Sequence, residues 1–253
     1  MGANIKETPS VWLVPGMLAS YGEMVDTQEH QHSLLQLTTI YGEGALVTDG
    51  CGYQTALLAS GVPHSLNMQR GWVILIEPQS EIGLTLANLL ENQPIKPFST
   101  RRHSLAEPAS AFPYQQVLAL LYQLSEQVDW NSMIGAITTS DERITQLIEQ
   151  LNLCFESECL KPESWRADQI AADLALSESR FLHLFKQQMA MAWRPYLLWR
   201  RLICAVKLII AGESATHAAY RAGFSDSAHL SRTFKATFGI SIRESKSMFQ
   251  NNF

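Results

Sequence analysis

The sequence has few cysteines, modest charge and no long apolar run. Its cysteines, Cys51, Cys154, Cys159 and Cys204, form no Cys-x-x-Cys pair and no zinc-type spacing, so neither a disulfide framework nor a zinc finger is expected. No stretch of about 18 apolar residues occurs, and the first residues lack the apolar core of a signal peptide. These absences favour a cytoplasmic protein that does not associate with membranes.

The chain is long enough for two ordinary domains. Of 253 residues, 46% are hydrophobic and 17% charged, which is typical of a globular chain. The net charge of −5 is unevenly distributed: residues 160–253 hold 13 Lys and Arg against 7 Asp and Glu, whereas residues 1–159 hold 6 against 17. A basic half beside an acidic half indicates one part that binds nucleic acid and one that avoids polyanions.

The strongest local pattern lies in residues 216–238. Ala219, followed four positions later by Gly223, indicates a helix and then a tight turn. Ser225 or Asp226 can accept hydrogen bonds from the free N–H groups that open a second helix. That helix has an apolar stripe of Leu230, Phe234 and Phe238. The pattern predicts a helix-turn-helix.

A second copy of this pattern lies upstream, in residues 170–186. Ala171 and Ala175 repeat the small-residue spacing of the downstream copy. Between the copies we expect one long helix, with Pro195 in its first turn and Gly212 at its C-terminal cap.

Two helix-turn-helix units joined by a long helix resemble the DNA-binding domain of AraC/XylS-type transcription regulators. The residues that carry the resemblance are Arg201-Leu202, Ala205, Gly223-Phe224-Ser225-Asp226-Ser227, Arg232-Thr233-Phe234-Lys235 and Phe238-Gly239. The resemblance covers roughly residues 160–250. It implies that the chain binds double-stranded DNA and acts on the transcription machinery.

The helix geometry predicts which side chains meet DNA, with the two recognition helices entering successive major grooves about 34 Å apart. The predicted DNA-binding residues are Glu178, Ser179, Leu182, His183 and Lys186 in the first unit and Ser227, Ala228, Ser231, Arg232 and Lys235 in the second. The guanidinium of Arg232 suits a guanine edge, and the two lysines suit phosphates.

The first hundred residues show short β-type runs separated by glycine-bearing turns, at 35–41, 45–48, 54–58 and 72–76. Such spacing is typical of a small barrel or sandwich. The expected fold is therefore α+β and multidomain: an all-β barrel (1–100), a helical linker (101–159) and an all-α domain (160–253).

The barrel contains His30-Gln31-His32, then Gln36 and later His64, which resembles the two short motifs of cupin barrels. If His30 and His32 alternate on a strand, both face one side, where the four residues offer nitrogen and oxygen ligands to a metal. The acidic residue usual in the motif is Gln36 here, so we expect weaker metal binding. Three alternatives remain: a metal site, a metal-free pocket that binds a small-molecule effector, or relics of the barrel interior.

Two amphipathic helices are expected between the barrel and the DNA-binding domain. Pro113 opens the first, and residues 139–142 have the form of a capping box for the second. In the resembled family such helices often form a homodimer interface, and the alternative is that they only pack within the chain.

Three functions remain open. The first is a transcription regulator that senses a small molecule and is not an enzyme. The second is a cupin metalloenzyme with an added helical domain, and the third is a protein-interaction module. The first is favoured because it alone explains the charge division, the paired motifs and the barrel together.

Overall fold

The computed structural model describes residues 11–99, 113–137, 139–157, 159 and 165–245. The predicted capping residue Thr139 and the helix start Pro113 lie within these ranges, whereas residues 1–10 and 100–112 lie outside them. No helix in the described ranges is both long and apolar enough to span a bilayer.

The N-terminal part, which we call the β domain (residues 11–99), is built on one seven-stranded antiparallel sheet. Its strands are β1 (Val11–Val14), β2 (Met17–Asp26), β3 (Leu35–Thr48), β4 (Cys51–Tyr53), β5 (Thr55–Leu58), β6 (Ser65–Ile76) and β7 (Ile95–Pro97). The pairing order is β1-β2-β6-β3-β5-β7, and β4 pairs with β3.

The β3 strand differs from the sequence prediction. Two short strands were expected around Gly42, but residues 35–48 form one strand of 14 residues. Where the sequence predicted a turn, the pairing of β3 with β6 instead shifts its register between Tyr41 and Gly44. A bulge accommodates the extra residue without ending the strand.

Nine helices are present in the described ranges: α1 (Glu81–Leu90), α2 (Pro113–Leu124), α3 (Trp130–Met133), α4 (Glu142–Glu156), α5 (Ala167–Asp173), α6 (Glu178–Met189), α7 (Trp193–Ile210), α8 (Ala215–Arg221) and α9 (Ser227–Phe238). Helix α1 was not expected. It is capped by Ser80, whose hydroxyl accepts a hydrogen bond from the N–H of Gly83 at 3.0 Å. The cap of α4 is Asp141 and not Thr139, because the Asp141 carboxylate accepts from the N–H of Arg143 at 3.1 Å.

The two faces of the sheet bury different partners, because side chains alternate along each strand. One face, with Met17 and Ile74, shares a hydrophobic cluster with α1, α2 and α3. From the other face, Leu18 and Leu75 join the cluster formed by α4 to α9, which we call the helical domain. The predicted linker is thus divided: α2 packs on the β domain and α4 on the helical domain.

A buried polar junction joins the two domains. The carboxylate of Glu77, which follows β6, accepts hydrogen bonds from the Tyr196 hydroxyl at 3.0 Å and the Trp199 indole N–H at 2.9 Å. An Arg200 guanidinium nitrogen lies 3.5 Å from the same carboxylate, and both side chains are at most 3% exposed. The other terminal nitrogen of Arg200 donates to Asn152 in α4 at 2.7 Å.

Candidate nucleic-acid interface and interdomain cavity

The downstream helix-turn-helix is α8 and α9, and its turn forms as the sequence predicts. Gly223 has a φ of +80°, a left-handed conformation that favours glycine, and the N–H of Phe224 donates to the Ala219 carbonyl at 2.9 Å. Of the two predicted capping residues, Asp226 is the N-cap: its carboxylate accepts from the His229 N–H at 2.6 Å. This hydrogen bond holds the pKa of Asp226 below its usual value, and the charge of Arg232 adds a smaller effect.

The outer face of α9 presents the predicted DNA-binding side chains. Ala228, Ser231, Arg232 and Lys235 are exposed and Ser227 is half-buried. The Ser231 hydroxyl donates to the Ser227 carbonyl at 2.8 Å, so Ser231 is available to DNA mainly as an acceptor. To the residues that the structure describes, Arg232 makes no ion pair within 4.0 Å.

The upstream helix-turn-helix is α5 and α6, and it repeats the same architecture. Ala175 has a φ of +53° at the position that corresponds to Gly223. Ser177 caps α6 by accepting from the Arg180 N–H at 3.3 Å. The predicted contacts Glu178, Ser179, His183 and Lys186 are exposed, and Leu182 is half-buried. The distance between the two recognition helices on DNA stays a prediction.

The long connecting helix α7 begins at Trp193, two residues before Pro195, and Pro195 lies in its first turn as predicted. Pro195 is its third residue, and Gly212 follows the C-terminal cap, Ala211. Its apolar face joins the core of the helical domain, while Val206, Ile209 and Ile210 also face a cavity.

A cavity of about 630 Å³ lies between the β domain and the helical domain. Its β-domain wall consists mainly of apolar side chains, among them Leu18, Val25, Leu66, Met68, Val73 and Leu75. Its opposite wall comes from α7 and α9: Val206, Ile209, Ile210, Phe234, Thr237 and Phe238. Sequence reasoning missed this second wall, because the residues that form it were interpreted as core.

The predicted effector residues sit at one polar corner of this cavity. His30, His32 and Gln36 line the cavity. His64 does not line it, but its ring contacts Gln36 and its side chain is buried, with 1% exposed. The expectation that His30 and His32 share a strand is wrong. They lie in the loop between β2 and β3, held by paired backbone hydrogen bonds of 2.9 Å between His30 and His64.

Two of the three histidine rings, those of His32 and His64, contact the Gln36 side chain. Nε2 of His32 and Nε2 of His64 lie 3.0 and 3.1 Å from Gln36 Oε1. The Gln36 amide nitrogen lies 3.0 Å from the Thr38 hydroxyl oxygen. Burial lowers the pKa of His30 and of His32 to about 4, and it lowers that of His64 as well, so all three rings are neutral near pH 7.

The recognition helix ends directly against this corner. Gly239, the C-cap of α9, lies so close to His30 that a Cβ atom there would be 2.6 Å from His30 Nδ1. The Gln28 N–H donates to the Gly239 carbonyl at 3.3 Å. The histidine corner, the cavity and α9 are therefore one contiguous region.

Comparison with known proteins agrees with this architecture. Residues 170–247 match the family described as "Helix-turn-helix domain". The HTH-type transcriptional activator RhaS of Enterobacter sp. (strain 638) is 34% identical over 148 residues, which are 58% of this chain and 48% of RhaS. RhaS of Klebsiella pneumoniae (strain 342) is 32% identical over 146 residues, 57% of this chain and 47% of that protein. The chain thus spans about half the length of the curated relatives it matches.

Among solved structures, an apo ToxT variant from Vibrio cholerae has a TM-score of 0.53 at 14% identity, covering 92% of this chain and 98% of ToxT. A ToxT structure with bound unsaturated fatty acid has a TM-score of 0.50 at 15% identity, covering 93% and 96%. At such identities the likeness concerns the fold alone. The C-terminal region is an AraC-type helix-turn-helix domain, and the α+β fold with an N-terminal sheet domain is confirmed.

Proposed function

We propose that this chain is a sequence-specific DNA-binding transcription regulator and not an enzyme. The observation that carries the proposal is the pair of capped helices, α6 and α9, whose outer faces are polar and basic within an AraC-type domain. Capped helices with exposed Ser, Arg and Lys suit the major groove, where side chains reach base edges and helix N-termini meet phosphates.

The names of the relatives support one direction of regulation. The RhaS proteins carry the description of transcriptional activators, so we propose activation through the transcription machinery. Double-stranded DNA is then the first partner. The division into a sensor (1–100), a linker (101–159) and a DNA-binding domain (160–253) is retained as a functional division, although α2 and α4 pack on different sides of it.

We further propose that the interdomain cavity binds the effector. A volume of about 630 Å³ falls in the range of pockets for small organic ligands, roughly 300–1,000 Å³. The apolar walls favour a ligand with a hydrocarbon body, and the corner at His30, His32 and Gln36 favours a polar end. The ToxT structure that contains an unsaturated fatty acid supports this chemical class.

The position of the cavity explains how binding can regulate. Since its walls come from β2 and β6 on one side and α7 and α9 on the other, a ligand changes the docking between the sheet and the recognition helix. We propose two arrangements of the sheet and the recognition helix in equilibrium. A ligand shifts this equilibrium only if its affinity for one arrangement exceeds its affinity for the other.

We also propose that the protein acts as a homodimer through the outer face of α4. The inner face of α4 is used within the chain, whereas Leu153 on the outer face is 65% exposed. A second chain that covers Leu153 would remove this apolar side chain from water.

The experiment that tests the proposed function is selection of bound fragments from genomic DNA with the full chain, with and without oleate as a probe ligand. Enrichment of a bipartite sequence with two half-sites supports the proposal. Recovery of fragments with no shared sequence contradicts it.

A further inference from the structure

Three of the four cysteines meet where the end of α4 packs against α7. Cys154 lies in α4, Cys159 follows that helix, and Cys204 lies within α7. The Cys204 thiol forms side-chain hydrogen bonds with both Cys154 and Cys159, and none of the three forms a disulfide in the structure. Cysteine spacing along the chain could not indicate this cluster, because α5 and α6 lie between the two parts in the sequence.

Polar contacts on either side of this thiol cluster hold α4 against α7. One helical turn before Cys204, the Arg200 guanidinium donates a hydrogen bond to the side-chain oxygen of Asn152 at 2.7 Å. Three residues after Cys204, the Lys207 ammonium donates to the backbone carbonyl of Phe155 at 2.6 Å. Because these two contacts flank the cysteines on both helices, they keep the thiols of α4 and α7 next to each other.

The thiols of Cys154 and Cys204 differ in access and in protonation. Cys154 is half-buried, whereas Cys204 is only 7% exposed. The hydrogen bond with Cys204, together with the charges of Arg200 and Lys207, lowers the pKa of the Cys154 thiol to about 7 in spite of its partial burial. Hydrogen bonds to the two neighbouring thiols, together with burial, raise the pKa of Cys204. Cys154 is therefore the thiolate that solutes reach, and Cys204 keeps its proton beside it.

We propose that Cys154 and Cys204 are a peroxide-reactive thiol pair, which oxidation joins reversibly in a disulfide between α4 and α7. In the first step the Cys154 thiolate attacks one oxygen of hydrogen peroxide and the O–O bond breaks. The sulfur becomes a sulfenic acid, and the released hydroxide takes up a proton to form water. In the second step the Cys204 sulfur attacks the Cys154 sulfur, the S–O bond breaks, and the hydroxyl leaves as water with the Cys204 proton. Two thiols and one peroxide thus give one disulfide and two waters.

The alternative is that these cysteines are only small apolar core residues, a description that fits Cys159 at 1% exposed. It does not fit Cys154, which is half-buried and whose pKa the two neighbouring cations lower. Transient disulfides of this kind occur in reducing compartments, where lasting structural ones are rare.

The position of the pair gives its oxidation a structural consequence. Helix α7 also makes the buried junction with Glu77 and lines the interdomain cavity. A covalent bond from Cys204 to α4 therefore acts on the helix through which the two domains meet. The pair does not depend on the DNA-binding proposal, because its test measures the thiols alone.

The test is treatment of the folded, reduced full chain with hydrogen peroxide, then alkylation of the remaining thiols and mass spectrometry of a non-reducing digest. A protease that cuts after glutamate separates Cys154 from Cys159, because Glu156 lies between them. We expect a linked peptide pair that contains Cys154 and Cys204, and dithiothreitol should return both residues to thiols that can be alkylated.

Two substitutions separate the roles of the pair. In Cys204→Ser the Cys154 sulfenic acid loses its resolving thiol, so dimedone should label Cys154 in this variant and not in the unchanged chain. In Cys154→Ser the link to Cys204 should be lost. The matched control is Cys51→Ser, at an exposed position in β4, which should form the linked pair as the unchanged chain does.

The digest of the unchanged chain decides the matter even if a serine variant fails to fold. Peroxide treatment that oxidises Cys51 and leaves Cys154 and Cys204 open to alkylation overturns the proposal. A disulfide that links Cys204 to Cys159 in place of Cys154 overturns it as well.

Discussion

The carboxylate of Glu77 in the β domain accepts a hydrogen bond of 3.0 Å from the hydroxyl of Tyr196 in α7. Burial, together with the charge of Glu77, raises the pKa of Tyr196 above its usual range, so the phenol stays protonated and donates. With Trp199 and Arg200, this contact fixes the orientation of α7 relative to the sheet. The contact therefore stabilises the arrangement of the two cavity walls that the structure shows.

The first prediction concerns this junction. Glu77→Ala leaves the buried Arg200 charge without its partner and removes the acceptor of Tyr196 and Trp199, so the free energy of unfolding should fall by about 3 kcal/mol or more. Urea denaturation of the full chain measures this. The control, Glu23→Ala at an exposed position, should change it by less than about 0.5 kcal/mol. An equally small change in both variants would mean that the junction is not a structural element.

The second prediction separates specificity from affinity in α9. Arg232→Ala should reduce discrimination among bases at one position of the selected site by roughly 1–3 kcal/mol. Lys235→Ala should weaken binding to all sequences and lower the salt slope by about one unit. Binding series on the selected site and on its single-base variants measure both. If Arg232→Ala weakens every sequence equally, Arg232 does not read a base.

The third prediction concerns the Asp226 cap and pH. The pKa of Asp226 is held below its usual value of 3.8, so the carboxylate stabilises the fold above the unfolded pKa and this stabilisation is lost as the pH falls through the lower folded value. Asp226→Asn keeps a capping oxygen without the charge. The stability difference between the two chains should therefore be largest above about pH 5 and shrink in stronger acid. A difference that stays constant from about pH 7 to about pH 3 would show that the charge has no role.

The fourth prediction concerns the cavity. Ile210→Trp, in the half-buried last residue of α7, should fill space at the helical wall and reduce oleate binding at least tenfold while the chain stays folded. The control Leu84→Trp changes an α1 residue that is 39% exposed and does not line the cavity. Calorimetric titration of both variants measures this. Unchanged oleate binding in Ile210→Trp would place the effector elsewhere.

The fifth prediction concerns assembly. Leu153→Glu should shift the protein from dimer to monomer in sedimentation equilibrium, because it replaces the exposed apolar side chain of α4 with a charged one. Met24→Glu, at a residue that is 77% exposed in the β domain, is the control and should leave the assembly unchanged. A dimer that persists in Leu153→Glu would exclude this face as the interface.

The helical domain could be predicted well from the sequence because its signals are local. Small residues at Ala219 and Gly223, a short polar cap at Asp226 and a periodic stripe each act within one or two turns of helix. The same local signals predicted α6. In that unit Ala175 takes the left-handed conformation that Gly223 takes in the second unit.

The cavity and the histidine corner could not be predicted, since they depend on how distant segments meet. The periodicity of α7 predicts that Ile210 is on its apolar face. It does not tell whether that side chain faces a cavity or a packed core. A signal for the junction did exist: Arg200 lies on the apolar face of α7 beside Trp199, and a charge in that position needs a buried partner. The histidines were identified by their spacing, but His30 and His32 lie in a loop that was expected to be a strand. Their Nδ1 atoms lie beside the backbone carbonyls of Gln28 and Leu34.

The most direct test of the central claim is a salt titration of full-chain binding to the selected DNA site. With about five phosphate contacts, the logarithm of affinity should fall with the logarithm of salt concentration at a slope near −4 to −5. The slope should become shallower by about one unit in each of Lys186→Ala and Lys235→Ala. An affinity that does not change between low and moderate salt would contradict DNA binding by α6 and α9.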